Sequence, residues 1–332
     1  MDSSRKRRTS PTIADVAELA GVSRAIASRA LSSESRPVSA DKRARVLEAA
    51  EKLGFKPNLL ARSLTTKTVN LIAVIVNHIH DFSDLDLFDL LIGEIQSIGK
   101  QVIFLRVGSV ERIEEFLRNG VAYHVDAALV FSDFADAENV RKMFRSDDVL
   151  MLNGMHDGSS PSVVPDEAIG IAEAVADAAG KGIGTAALVT GRVSSPVEQI
   201  RVAAYKAEMQ RHGIRLVAEL RGDYSYASGR QMAQSGDWPD IDAVFCTSDA
   251  MAMGVMDVHR DAFPQNQPSR FKLYGFDNLS LTDFEAYPIS SIGYDKKAYV
   301  GEILRFLTQP GEFADGNADV TVPTFFVPRA TS

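Results

Sequence analysis

Cysteine is nearly absent from this chain of 332 residues, with Cys246 standing alone. An intramolecular disulfide is therefore excluded, as is any metal cage built from several thiolates. Long apolar runs are missing too. No stretch approaches the roughly 20 residues that a membrane-spanning helix needs, so no membrane partner is expected. There is no Gly-x-Ser-x-Gly elbow and no His-Glu-x-x-His pair. Gly180, Gly182 and Gly184 come before a strand-like run instead of after it, the wrong context for a phosphate loop. Catalysis has no visible support, and neither cofactor nor metal is expected. Arg5, Lys6, Arg7 and Arg8 imitate the start of a signal peptide, but Thr-Ser-Pro and an amphipathic pattern with Asp15 and Glu18 follow. A reducing, cytoplasmic setting is expected.

The composition is that of a folded globular protein, 45% hydrophobic and 24% charged, long enough for two or three domains. The net charge of −8 hides a division along the chain. Residues 1–64 hold 13 basic and 7 acidic side chains, a balance of +6, while the remaining 268 hold 23 basic and 37 acidic, a balance of −14. A short basic head precedes a large acidic body.

The head reads as three short helices. Thr12 is an N-cap, with Asp15 placed as its capping-box partner. Ile13, Val16, Ala17 and Ala20 then form one apolar face before Gly21 ends the helix. Ser23 caps a second helix, Arg24 to about Leu31, after a turn of three or four residues, which is a helix-turn-helix spacing. A third begins at Ser39 and is expected to bury Val46, Leu47, Ala50 and Leu53 before Gly54. In the second helix Ile26, Ala27 and Ala30 face inward and Arg24, Ala25, Ser28 and Arg29 outward. Guanidiniums can pair with guanine O6 and N7, and an alanine methyl can touch thymine, so this face suits a DNA major groove.

From Val69 onward, strand-like runs at 69–76, 101–107, 127–131, 148–152, 184–190, 214–220, 241–246, 271–276 and 289–293 alternate with helical patterns, among them 85–98, 167–179, 197–212, 249–260 and 297–307. This βα alternation predicts open parallel sheets covered by helices, with ligands at the carboxyl ends of the strands.

Several spaced motifs carry a resemblance. Thr12-Ile13-Ala14-Asp15-Val16-Ala17, Ala20-Gly21-Val22-Ser23, Ser28-Arg29, Val38-Ser39, Arg45-Val46-Leu47, Leu53-Gly54-Phe55-Lys56-Pro57-Asn58 and Ala61-Arg62-Ser63-Leu64 together strongly resemble the LacI/GalR family of bacterial transcription regulators. The resemblance implies an α/β chain with an N-terminal helix-turn-helix domain (1–56), a hinge helix and linker (57–68) and a two-lobed, periplasmic-binding-protein-like effector and dimerisation domain (69–332) with parallel sheets. Lobe 1 is expected at about 69–164 and 296–323, lobe 2 at about 165–292 and 324–332. It implies that Thr12, Ser23, Arg24, Ala25, Ser28 and Arg29, with Asn58, Ala61 and Leu64 of the hinge, meet double-stranded DNA, Leu64 as a minor-groove wedge. The partners implied are a pseudo-palindromic operator, a second copy of the chain and a small, sugar-like effector.

For that effector the resemblance singles out Arg201 as a clamping arginine, Tyr224 as an aromatic wall, Ser248 in place of the family's asparagine, and Asp277 as acceptor, with Asp166 and Tyr294 as further contacts. An arginine fork opposite a carboxylate suits neighbouring hydroxyls. Asp249 reads as an N-cap, Asp166 equally as a charge at a helix N-terminus, and Tyr294 equally as packing. The first lobe departs from the family: Asn77-His78-Ile79-His80-Asp81-Phe82 replaces its usual stretch, Asn153-Gly154 its Asp-Arg and Pro165-Asp166 its Asp-Asn. His78, His80, Asp81, Asp84 and Asp86 are metal-ligand types, but acids in a first helical turn are explained by the helix dipole and solvation. A repressor is the expected role. The competing readings are a transport-type solute-binding protein, disfavoured by the head, and a nucleotide-dependent α/β enzyme, disfavoured by the lack of a cofactor motif.

Overall fold

The computed structural model describes residues 11–31, 37–55, 69–77, 82–118, 124–144, 146–155, 158, 160–235, 241–260, 270–313 and 319–332. The chain divides into two compact units, Met1–Val69 and Asn70–Ser332. The hinge positions Asn58, Ala61 and Leu64, and the histidines His78 and His80, lie outside the described residues.

The first unit holds α1 (Ile13–Leu19), α2 (Arg24–Ala30) and α3 (Ala40–Leu53). Thr12 and Asp15 form a reciprocal capping box: the Asp15 amide donates to Thr12 Oγ1 at 3.4 Å, and the Thr12 amide donates to Asp15 Oδ2 at 2.6 Å. Ser23 Oγ accepts from the Ile26 amide at 3.3 Å, and Gly54, in the left-handed region, closes α3. Val16, Ala17, Ala20, Ala27, Ala30, Val46, Ala49 and Ala50 form the core. Leu47 departs from expectation, with 51% of its surface exposed. Val46, Ala50 and Leu53 already fill the inward stripe, and Leu47 sits about 100° off it.

The second unit alternates strands and helices: β1 (Leu71–Val76), α4 (Phe82–Ser97), β2 (Gln101–Arg106), α5 (Val110–Arg118), β3 (Ala127–Val130), α6 (Ala137–Phe144), β4 (Val149–Met151), β5 (Ser162–Asp166) and α7 (Glu167–Gly180). The chain continues through β6 (Thr185–Thr190), α8 (Pro196–Arg211), β7 (Arg215–Arg221), α9 (Tyr226–Ser235), β8 (Ala243–Cys246), α10 (Asp249–Val258), β9 (Lys272–Phe276), β10 (Ser290–Tyr294), α11 (Lys296–Thr308) and β11 (Asp319–Val327). The strands run in the order β2-β1-β3-β4-β5-β11-β10-β9-β8-β6-β7. Every pairing is parallel except β10 with β11.

In the first lobe α4 and α11 cover one face, with Leu91, Ile95, Ile303 and Phe306 buried; Ile113, Val140 and Phe144 of α5 and α6 are buried on the other. In the second lobe Tyr205 and Met209 of α8 pack with Phe245 and Tyr274 beneath them, those two rings stacked at 4.5 Å. Met251, Val255 and Met256 of α10 fill the opposite face. Strands β5 and β11 were not among the expected runs. Each carries a proline, Pro165 and Pro323, and β11 is shared between the lobes. Its Asp319–Pro323 half pairs with β5, and its Thr324–Val327 half turns to β10.

Candidate nucleic-acid interface and candidate ligand cleft

In the head, Arg24, Ala25, Ser28 and Arg29 are all exposed along one side of α2, opposite the buried Ala27 and Ala30. Arg29 Nε donates to the Ala25 carbonyl at 3.1 Å, which stiffens that side chain along its own helix. Arg43 Nη1 reaches the Ala30 carbonyl at 3.0 Å, tying α3 to the end of α2. The Thr12 hydroxyl, singled out for DNA contact, donates to Asp15 Oδ2 at 2.8 Å, and the Ser23 hydroxyl caps α2. Both therefore set where helix N-termini begin, and backbone N–H groups at such ends favour anions such as phosphate.

In the body, a cavity of about 200 Å³ opens where the carboxyl ends of strands from both lobes meet. Phe131 and Asp133 follow β3, and Leu152 and Asn153 follow β4. Arg192 and Ser195 follow β6, Tyr224 follows β7, Ser248 follows β8, and Asp277 and Leu279 follow β9. Val197 and Arg201 reach in from α8, and Ala250 from α10. Tyr224 and Asp277 are two of the four described non-glycine residues with positive φ, at 75° and 102°. Such conformations cost about 1–3 kcal/mol and concentrate at functional sites.

Arg201, Tyr224, Ser248 and Asp277 thus converge on the cavity, whereas Asp166 and Tyr294 are not among its lining residues. Asp166 ends β5 and caps α7, accepting from the Ala168 amide at 3.1 Å. Tyr294 packs edge-on against Tyr299, ring centroids 5.3 Å apart.

Arg201 is 8% exposed and already engaged. Nε and Nη2 donate to Glu167 Oε2 and Oε1 at 2.8 and 3.0 Å, and Nη1 donates to the Thr247 carbonyl at 2.7 Å. Its guanidinium lies 3.6 Å over the Phe276 ring. Burial opposes the charge, but Glu167 more than offsets this and holds the Arg201 pKa above its usual value. Three of the five N–H groups of the fork are therefore occupied from within the protein.

Glu198 is the second buried carboxylate that sequence reasoning missed. It accepts from the Gly191 amide at 2.5 Å, the Thr247 hydroxyl at 2.7 Å and the Tyr224 hydroxyl at 2.8 Å. Burial pushes it upward despite Arg201 nearby. The Tyr224 ring needs the glycine beside it: a Cβ on Gly191 would sit 2.0 Å from that ring. Arg192 lies over the same ring, 4.6 Å from its centroid, and reaches Asp133 of the first lobe at 3.5 Å. Asp133 also accepts from Asn77 Nδ2 at 2.7 Å, and burial raises it.

Ser248, not Asp249, is the N-cap of α10, accepting from the Met251 amide at 3.2 Å. Asp249 is instead fully buried, accepts from the Leu279 amide at 2.9 Å and the Ser291 hydroxyl at 2.7 Å, and is pushed up to about 7 by burial. Asp277 differs from all of these. Its carboxylate has no hydrogen-bond partner among the described residues, and burial raises it well above the usual range. Arg201 and Lys296 oppose that shift, while Asp249 and Glu167 add to it.

Asp86, read from sequence as a solvated first-turn acid, bridges the lobes. It accepts from the Ser280 amide and hydroxyl, both at 3.0 Å. Among the described residues no three His, Cys, Asp or Glu side chains are placed to hold a metal ion, and no helix is long and apolar enough to cross a membrane.

A family model described as "Bacterial regulatory proteins, lacI family" matches residues 12–58, and one described as "Periplasmic binding protein-like domain" matches residues 175–332. The chain is 29% identical over 324 residues to the HTH-type transcriptional regulator AscG of Escherichia coli (strain K12), covering 91% of this chain and 94% of that protein. It is similar in fold to the Lac repressor bound to ONPG in its repressed state, with a TM-score of 0.80, 24% identity and coverage of 98% of this chain and 100% of that one. A complex of the transcriptional regulator CelR with cellobiose gives a TM-score of 0.68 at 20% identity, over 97% of this chain and 100% of that one.

Proposed function

Because this chain belongs to the lacI family of bacterial regulatory proteins and is a DNA-binding transcriptional regulator, we propose that it acts as a homodimeric repressor governed by a small polyhydroxylated effector, a sugar or sugar derivative. One observation carries the reading. The exposed Arg24-Ala25-Ser28-Arg29 face belongs to the same chain as a polar cavity of about 200 Å³ built at strand ends from both lobes. The first is chemistry for base edges. The second has the size and polarity for a single sugar ring, and the CelR relative in fold is a complex with a sugar.

The mechanism is a two-state coupling. The effector bridges the lobes, biases their closure and so alters the pairing of two subunits, which sets the spacing of two α2 helices on half-sites about one helical turn apart. In this reading Asn58, Ala61 and Leu64 form the hinge, and Leu64 wedges into the minor groove at the operator's centre. The basic head meets phosphates while the acidic body stays off the duplex.

The test is a binding titration of the full chain against random and selected duplexes over a range of salt, with and without a sugar panel. Tight, salt-sensitive binding to a pseudo-palindrome that one sugar weakens or strengthens supports the proposal. Equal affinity for every duplex would sink sequence-specific regulation, and indifference of operator affinity to every sugar that binds the body would sink the coupling.

A further inference from the structure

Among the described residues around the cavity three cations each face a carboxylate, and two carboxylates, Glu198 and Asp277, have no cation of their own. Arg201 is matched by Glu167 in a two-point pair at 2.8 and 3.0 Å. Arg192 is matched by Asp133 at 3.5 Å, and its Nη1 also donates to the Asp223 carbonyl at 3.2 Å. Lys296 is matched by Asp86 at 3.7 Å, and its Nζ lies 3.4 Å from the carbonyls of Asp277 and Asn278. Glu198 has no cation of its own but receives three neutral donors. Asp277 lines the cavity and receives none among the described residues.

Resting on the regulator reading above, we infer that the effector is a polyol bearing a protonated amine, an amino sugar or a related amino polyol, whose ammonium is received by Asp277. The same geometry disfavours sugar acids and sugar phosphates. An anion would reach these arginines only alongside the carboxylates they already hold, Glu167 and Asp133, and beside the Asp277 carboxylate as well, so like-charge repulsion opposes it. An ammonium takes nothing from existing pairs. It supplies donors to an acceptor that has none, and hydrogen bonds between charged partners are the stronger kind. Burial raises Asp277, as expected of a carboxyl lacking its own counter-charge, with Arg201 from α8, Lys296 from α11, Asp249 from α10 and Glu167 from α7 as the charged groups facing it. Tyr224 and Ser248 line the same cavity beside Asp277.

Calorimetry on the full chain with matched triples tests the assignment: glucosamine, glucose and glucuronate; galactosamine, galactose and galacturonate; mannosamine, mannose and mannuronate. The expected result is that in at least one triple the amine binds about ten-fold or more tighter than its neutral parent, with the acid weakest. Asp277→Asn should draw that ratio toward one in protein that still melts cooperatively and still binds DNA. Glu167→Gln and Asp133→Asn, each freeing one arginine, should gain affinity for the acid; loss of fold in either leaves the wild-type ranking as the deciding measurement. If in every triple the neutral sugar or the acid binds as tightly as its amine, or if no amine binds at all, the inference is overturned. If a neutral or acidic sugar binds and changes operator affinity, the regulator stands and only the amine assignment falls. If no duplex is bound specifically, the regulator reading fails whatever the sugars do.

Discussion

At Arg201 a residue expected to face a ligand with a free fork spends most of that fork on Glu167 and the Thr247 carbonyl. The position was legible, because an arginine four residues ahead of Tyr205 on a helix following a strand and glycine turn is placed by topology and resemblance together. Its partners were not. Glu167 and Glu198 both fall in the first turn of a helix, where an acid is ordinarily explained by the helix dipole, and only the fold shows that they point inward. Removing one member should be far worse than removing both. Glu167→Ala or Arg201→Ala is expected to cost about 3–5 kcal/mol of stability, while a double replacement with apolar residues of similar volume costs much less; chemical denaturation of the set checks this, and additive losses would show the two are uncoupled. Asp249 makes a second prediction. Its folded carboxyl holds a proton up to about pH 7, whereas an unfolded aspartate releases it near pH 4. The folded chain thus binds more protons between these limits, and this group's stabilising contribution, complete below about pH 4, is lost as pH rises to about 7 and is flat above. Asp133, Glu198 and Asp277 are shifted the same way. The wild type should therefore melt at a higher temperature at pH 5.5 than at pH 8, and Asp249→Asn should shrink that difference; an undiminished difference would count against the buried carboxylate as its source.

At the scale of elements, helices with clear caps and a 3.6-residue apolar stripe were the most legible. The Thr12 box, the Ser23 cap and the Gly54 terminus each satisfy backbone groups that a helix end leaves open. Strands β5 and β11 were not legible, because Pro165 and Pro323 interrupt the donor pattern that marks a strand, and the pairing that rescues them comes from residues about 155 apart in the chain. The two kinds of polar residue in the head should separate by experiment. Thr12→Ala removes a cap and should cost about 1 kcal/mol of stability in the head, with DNA base preference retained. Arg24→Ala and Arg29→Ala remove exposed side chains from α2, so stability should hold within about 0.5 kcal/mol while operator affinity falls by about 1–3 kcal/mol for a lost bidentate base contact. Anisotropy titrations against the operator and single-base variants of it distinguish a base contact, which relaxes preference at one position, from a phosphate contact, which weakens all sequences alike.

For the molecule as a whole, the lobes of the body are held together by more than the shared strand β11. Asp86 in α4 of the first lobe accepts two bonds from Ser280 in the second, and the Asp133–Arg192 pair bridges them at the cavity itself. These contacts favour the described arrangement of the lobes over one in which they part. A ligand that binds the closed arrangement then has less to do, because its apparent affinity scales with the fraction already closed. Asp86 is not among the residues lining the cavity, though it also pairs with Lys296 at 3.7 Å, so loosening its clasp alters none of the lining side chains themselves. Asp86→Ala removes a charged acceptor from two exposed bonds with Ser280 and the counter-charge of Lys296; at about 1 kcal/mol in total, the closed fraction falls several-fold relative to the open one. The expected outcome is a several-fold weaker effector affinity by calorimetry, together with a larger radius of gyration for the ligand-free chain in solution scattering. Because affinities for effector and operator are coupled reciprocally, the same variant should also shift operator affinity in the direction opposite to the one the effector produces. A variant with unchanged dimensions and unchanged affinities would show that Ser280 and Asp86 merely touch, and that closure is set elsewhere in the body.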